Sequence, residues 1–109
     1  MKQLLTDDHI EVLFDTAIDL GVKHWCTVSI KDNIDAELYD FNEEGWELTV
    51  LDHETMLETK LTKQDFYLGW ERLVNAYPSM SFDILNKGVW KEEANIWFQL
   101  CAFGEVLYD

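Results

Sequence analysis

One proline and five glycines in 109 residues leave little room for a flexible linker or a chain of turns. Basic residues are just as scarce: 8 Lys and Arg against 22 Asp and Glu give a formal net charge of −14. A surface so short of cations argues against direct nucleic-acid binding and against attachment to anionic lipid, because both require Lys and Arg to neutralise phosphates. The 2 cysteines, Cys26 and Cys101, are too few for a disulfide framework. Each sits in an apolar stretch, where a free cysteine behaves as a small buried hydrophobe. No apolar run approaches the roughly 18 residues that a spanning helix needs. The opening residues 1–10 lack an apolar stretch of signal-peptide length before the acids begin. A cytoplasmic protein with no membrane role is the expectation.

What the chain does have is a core. Hydrophobic residues make up 48% and aromatic residues 14%, a composition that disordered chains do not reach. The length suits one domain, and residues 1–109 are expected to form a single compact unit with no internal repeat or linker.

Ile10, Leu13, Phe14, Ala17 and Ile18 recur at helical spacing and predict a helix over residues 7–20, with Thr6 or Asp7 as its cap and Gly21 as its stop. The period then changes. Residues 24–30 alternate, with Trp25, Thr27 and Ser29 on one side and Cys26, Val28 and Ile30 on the other, as in a strand. Residues 46–52 read as a second strand with Trp46, Leu48 and Val50 on one face. Residues 54–62 read as a third, paired antiparallel through a turn near Asp52–Glu54.

Helical spacing returns with Phe66, Trp70, Leu73, Val74 and Tyr77, opened by a Thr62–Asp65 capping pair and closed by Pro78. Gly69 is out of place in mid-helix and points to a close approach by another element. Residues 79–88 suit a short helix or turn, and residues 91–104 a last helix with Ile96, Trp97, Leu100, Cys101 and Phe103 on one side. Val106 and Tyr108 alternate as on a terminal strand. The expected fold class is α+β: a small antiparallel sheet of about three strands, with a fourth from the C-terminal tail, packed on two or three helices.

Motifs for chemistry are scarce. His9, His24 and His53 are scattered, and His24 with Cys26 supplies at most two ligands on one side of a strand, where zinc needs three or four. Asp40, Asn42, Glu44 and Gly45 fall at the first, third, fifth and sixth positions of a calcium loop. The twelfth position, which should be a bidentate glutamate, is Leu51, and a strand rather than a helix follows the glycine. No nucleophile elbow or glycine-rich phosphate loop occurs. No catalytic residue, metal site or cofactor is therefore assigned, and a non-enzymatic role is expected.

Carboxylates carry the most information. Asp32, Asp35, Glu37, Asp40, Glu43, Glu44 and Glu47 follow one another with no Lys or Arg between them, interleaved with Tyr39, Phe41 and Trp46. A second row, Asp8, Glu11, Asp15 and Asp19, recurs every three or four residues on the polar face of the first helix, where like charges repel. A solvated surface accounts for such acids. So does an interaction face whose carboxylates stand in for phosphates and attract a basic partner.

Two segments resemble a family of short, acidic proteins encoded by bacteriophages and prophages. The opening match is Thr16, Ala17, Ile18, Gly21 and Trp25. The closing match is Gln99, Phe103, Gly104, Glu105, Val106 and Tyr108, in a Gln-x-x-x-Phe-Gly-Glu-Val-x-Tyr pattern. Leu20 and Asp109 stand where the family tends to have glycine. The resemblance implies a phage origin and action inside a bacterial host cell; the matched residues read as helix stops, aromatic anchors and one buried amide. It implies no reaction. The expected function is binding of a basic host or phage protein through the carboxylate-rich face, in its sharpest form as a nucleic-acid mimic that inhibits a host defence protein. A small-ligand or cation-binding protein and a structural phage component are the alternatives, and a homodimer is compatible with all three.

Overall fold

The structure is a computed structural model that describes residues 6–22, 24–30, 34–35 and 47–108. Within these, α1 (Asp7–Thr16) runs into a π turn (Ala17–Gly21), followed by β1 (Cys26–Ile30), β2 (Ile34–Asp35), β3 (Leu48–Asp52) and β4 (Glu58–Leu61). Three helices complete the chain: α2 (Lys63–Ala76), α3 (Pro78–Lys87) and α4 (Lys91–Phe103). The architecture is the α+β one that the sequence implies. The strands form one antiparallel sheet in the order β2-β1-β3-β4.

Helix starts are set by side chains that occupy the orphan amides of the first turn. Thr6 caps α1, its hydroxyl accepting from the His9 N–H while its own N–H donates to His9 Nδ1 at 3.0 Å. The Thr62 N–H donates to the Asp65 carboxylate at 2.8 Å, which realises the expected capping pair. The Trp90 N–H finds Glu93 in the same way at 3.0 Å. Pro78 does more than end α2: it is the first residue of α3, where its missing N–H costs nothing. At the far end of α4, Gly104 adopts φ 78°, and its N–H bonds the Leu100 carbonyl at 3.1 Å. Arg72 Nη1 donates to the same carbonyl at 2.6 Å.

Several expectations need correcting. The first helix does not stay α-helical to residue 20. It widens into a π turn in which the Val22 N–H reaches Ala17 O at 3.0 Å, which inserts a residue into the helical repeat. β1 starts at Cys26, so His24 and Trp25 belong to the turn before it. Val74 on α2 and Tyr77 just past its end are exposed, and Gly69 lies in the buried stripe with Phe66, Trp70 and Leu73. The reason is α4, which crosses so closely that a Cβ on Gly69 would collide with Cys101 Sγ and stand 3.0 Å from the Cys101 backbone. The close approach read from Gly69 is therefore present.

α4 is the central element, packing on α2, α1, the π turn and β4. It is buried nearly all round from Ala94 to Cys101, so its apolar face is not the narrow stripe that spacing suggests. Trp97 and Phe98 meet Phe66, and Phe66 meets Phe14, at ring separations of 5.2–6.5 Å. Leu48, Val50 and Leu61 close the core from the sheet.

The C-terminal tail adds no strand. Residues 105–108 have no ladder partner; the backbone of Leu107 and Tyr108 is held by one side chain. Gln99 is fully buried, and its Oε1 accepts from the N–H groups of Leu107 and Tyr108, both at 2.8 Å. Its Nε2 donates to Tyr108 O at 2.7 Å and to Asn95 Oδ1 at 3.1 Å. All four hydrogen-bonding capacities of the amide are used. A side chain thus does what a neighbouring strand would have done, which is why alternation misled.

Candidate functional site

The described acids that come together are those of α1. Ile10, Leu13, Phe14 and Ala17 turn into the core, and this fixes the rotation of the helix. Asp8, Asp15 and Asp19 then emerge exposed on the outer side, with Glu11 half-buried. A helical rise of 1.5 Å per residue spaces carboxylates four positions apart by about 6 Å along the axis. They interact: the Asp15 carboxyl is raised above its ordinary value, first by partial burial, then by the charges of Glu11 and Asp19. Asp7 and Asp8 sit at the positive end of the helix dipole, and Asp7 also pairs with Lys63 Nζ at 3.0 Å.

The other acidic stretch is only touched by the described residues. Asp35 ends β2 at the outer edge of the sheet, opposite Ser29 of β1, and Glu47 is exposed immediately before β3. Asp32, Glu37, Asp40, Glu43 and Glu44 lie outside the described residues, as do Tyr39, Phe41 and Trp46. The tail end of the would-be calcium loop is described, and it is strand: Leu48–Leu51 lie in β3.

The other candidates for chemistry are engaged or inaccessible. His24 is exposed while Cys26 is buried, so the two do not present a common face. His9 is tied into the α1 cap, and His53 Nε2 is 2.7 Å from the Thr27 hydroxyl. Among the described residues no group of three His, Cys, Asp or Glu side chains is placed to hold a metal ion. Both cysteines are free and buried. Burial pushes the Cys26 thiol up to about 12, with the Asp52 charge adding to it, and carries Cys101 well above its ordinary value. Both shifts favour the neutral thiol, the opposite of the lowered value that marks a reactive cysteine.

A polar cluster that the sequence reading missed lies inside the fold. Asp52 is only 5% exposed. Its Oδ1 accepts from the Glu54 and Thr55 N–H groups at 2.8 and 3.3 Å, and its Oδ2 accepts from the Tyr108 hydroxyl at 2.6 Å. Trp25 stacks on the Tyr108 ring at 5.3 Å and donates through Nε1 to Asn95 Oδ1 at 2.7 Å. The signal was available: the β3 alternation Leu48, Val50, Asp52 continues an apolar face onto an acid. The Tyr108–Asp52 bond ties the tail to the sheet, the Glu54 and Thr55 bonds fix the turn after β3, and the Trp25–Asn95 bond joins the turn before β1 to α4, so the chemistry of the cluster is that of a structural clasp.

No helix among the described residues is long and apolar enough to cross a membrane. No family model, curated protein or solved structure matches the chain.

Proposed function

We propose that this protein is a small acidic binding protein that engages a basic protein partner through its carboxylates, those of the α1 row and those that the sequence carries between residues 32 and 47. In its sharpest form it is a phage-encoded mimic of the nucleic-acid backbone that blocks a host defence or nucleic-acid-binding protein. The observation that carries the reading is the row itself: Asp8, Asp15 and Asp19 stand exposed along the outer side of the first helical segment with Glu11 half-buried among them, and the Asp15 carboxyl is raised first by partial burial and then by the charges of Glu11 and Asp19. Like charges at this spacing weaken a helix, and here they are tolerated on a helix whose opposite face is fully committed to the core. The formal net charge of −14 adds long-range attraction that speeds encounter with a cationic surface.

The test is affinity for nucleic-acid-binding host proteins measured across a salt series. Binding should weaken steeply with added salt and fall with Asp→Asn changes at Asp15 and Asp19, and with Asp/Glu→Asn/Gln changes across residues 32–47. Binding indifferent to salt, or to those substitutions, would overturn the reading.

A further inference from the structure

Away from α1, the junction of α2, α3 and the start of α4 forms a cleft of about 460 Å³ that lies broadly open to solvent. Its walls are of two kinds. Tyr77, Pro78 and Met80 give apolar and aromatic surface, and Asp83 and Glu93 bring carboxylates from two different helices. Tyr77 breaks the helical path between α2 and α3, with φ −136° and ψ 62°, and so opens the corner. The large exposed aromatics Phe82 and Trp90, 61% and 69% exposed, are the residues next to Asp83 on α3 and at the cap of the helix that carries Glu93.

We propose that this cleft is a docking pocket for an arginine side chain presented by a basic protein partner. The apolar wall suits the aliphatic stem, and an aromatic wall favours a guanidinium over a compact ammonium. The carboxylates supply the opposite charge. Within the chain, Asp83 has one competing cation outside the cleft lining: Lys87 Nζ lies 3.4 Å from Asp83 Oδ1, with the lysine side chain 70% exposed. That pair joins residues four apart on an exposed helix face, an arrangement of little net stability, so an incoming guanidinium displaces the ammonium cheaply. Glu93 is held in place by its bond to the Trp90 N–H. The inference rests on the partner being basic but uses a face separate from the α1 row.

The experiment is titration of the full isotope-labelled chain with Nα-acetyl-arginine methylamide, followed by amide chemical shifts. The neutral citrulline analogue and magnesium chloride serve as the comparison probes. Saturable shifts should appear around Tyr77, Met80, Asp83 and Glu93 with the arginine probe and not with the other two. Asp83→Asn should abolish saturation, and Lys87→Met should tighten binding about twofold, the factor that an exposed pair of this kind is worth. Asp15→Asn should leave the cleft titration unchanged, which separates this proposal from the reading of the α1 row. Shifts spread evenly over all acidic segments, equal shifts from citrulline or magnesium, or no saturable shift at the cleft would each overturn it.

Discussion

The Tyr108 hydroxyl donates to Asp52 Oδ2 across 2.6 Å, so the penultimate residue of the chain is fastened to the last residue of β3. The bond is one end of a continuous path. Asp52 joins Tyr108, the Tyr108 backbone joins Gln99, Gln99 joins Asn95, and Asn95 joins the Trp25 indole. Sheet, tail, central helix and the turn before β1 are thereby linked through polar groups inside an otherwise apolar core. Partly satisfied, such a network is costly; fully satisfied, it specifies one arrangement.

Both partners of the clasp carry shifted titrations of opposite kind. The hydrogen bond from Tyr108 lowers the Asp52 carboxyl below 3.8, and the same bond to Asp52 pushes the Tyr108 phenol from 10.0 up to about 12. For Asp52, the stability gained is present above 3.8 and lost as pH falls through the lowered value; for Tyr108, it is present below 10.0 and lost as pH rises through about 12. Absorbance titration of tyrosinate checks this. Tyr108→Phe should remove absorbance that develops near pH 12, and Asp52→Asn should bring that component back toward 10.0. A Tyr108→Phe difference that titrates near 10.0 in the native protein would disprove the clasp.

Gly69→Ala sets two effects against each other. Alanine gains about 1 kcal/mol of helix propensity over glycine. The new Cβ, however, would land on Cys101 Sγ and stand 3.0 Å from the Cys101 backbone; overpacking of that kind costs about 1–3 kcal/mol. Packing should win, and the urea midpoint should fall. Adding Cys101→Ala removes the sulfur but not the backbone contact, so it should restore only part of the loss. A Gly69→Ala protein at least as stable as the parent would show that α2 and α4 are not so close.

Removing residues 103–109 strips Gln99 of three of its four hydrogen bonds and Trp25 of both Phe103 and Tyr108, whose rings lie 5.4 and 5.3 Å away. Leaving buried polar groups without partners costs about 1–3 kcal/mol each, a large share of a small domain's stability. The truncated chain should lose its cooperative thermal transition. Gln99→Leu is the milder probe: it should leave the core folded while the amides of Leu107 and Tyr108 lose protection from hydrogen exchange. An unchanged melting curve after truncation would mean the tail is not part of the core.

Much of this fold is legible in the sequence because periodicity reports burial. The α1 face, the alternation in β3, the Thr62 cap and the Gly104 stop all follow from local rules, and each is present. Three features are not local. Alternation at Val106 and Tyr108 is the pattern of a strand, yet the hydrogen-bond partner supplied is the Gln99 side chain from eight and nine residues earlier. Val74 and Tyr77 keep helical spacing with Phe66 and Trp70, but α4 crosses at Gly69 and leaves Val74 outside, and the helical path breaks at Tyr77. The π turn follows no residue type that composition singles out. Of the acids, spacing was enough to place Asp8, Asp15 and Asp19 on one exposed face, because helix rotation is fixed by the apolar side. Asp52 reads in the sequence as a turn residue, and it does hold the turn through the Glu54 and Thr55 N–H groups, but its third partner, Tyr108, lies beyond four further elements.

The α1 row makes a prediction in which stability and binding move in opposite directions. Asp15 is raised by burial and by its acidic neighbours, so its ionised form is disfavoured in the folded state. Stability should therefore rise as pH falls from neutral through the raised value, and this gain should be complete by about 3.8, the ordinary value. Asp15→Asn should capture the same gain at neutral pH, on the order of 0.2–0.5 kcal/mol for each like-charge pair relieved, and should flatten that part of the pH dependence. Salt should shrink the difference between parent and variant, because screening weakens exposed charge pairs. If the row serves a basic partner, the more stable variant binds that partner less well and with a shallower salt dependence. A row that only keeps the protein soluble would show the stability gain with no loss of binding. The pair of measurements, thermal melting and salt-dependent affinity on the same variant, distinguishes a face kept for recognition from one kept for solvation.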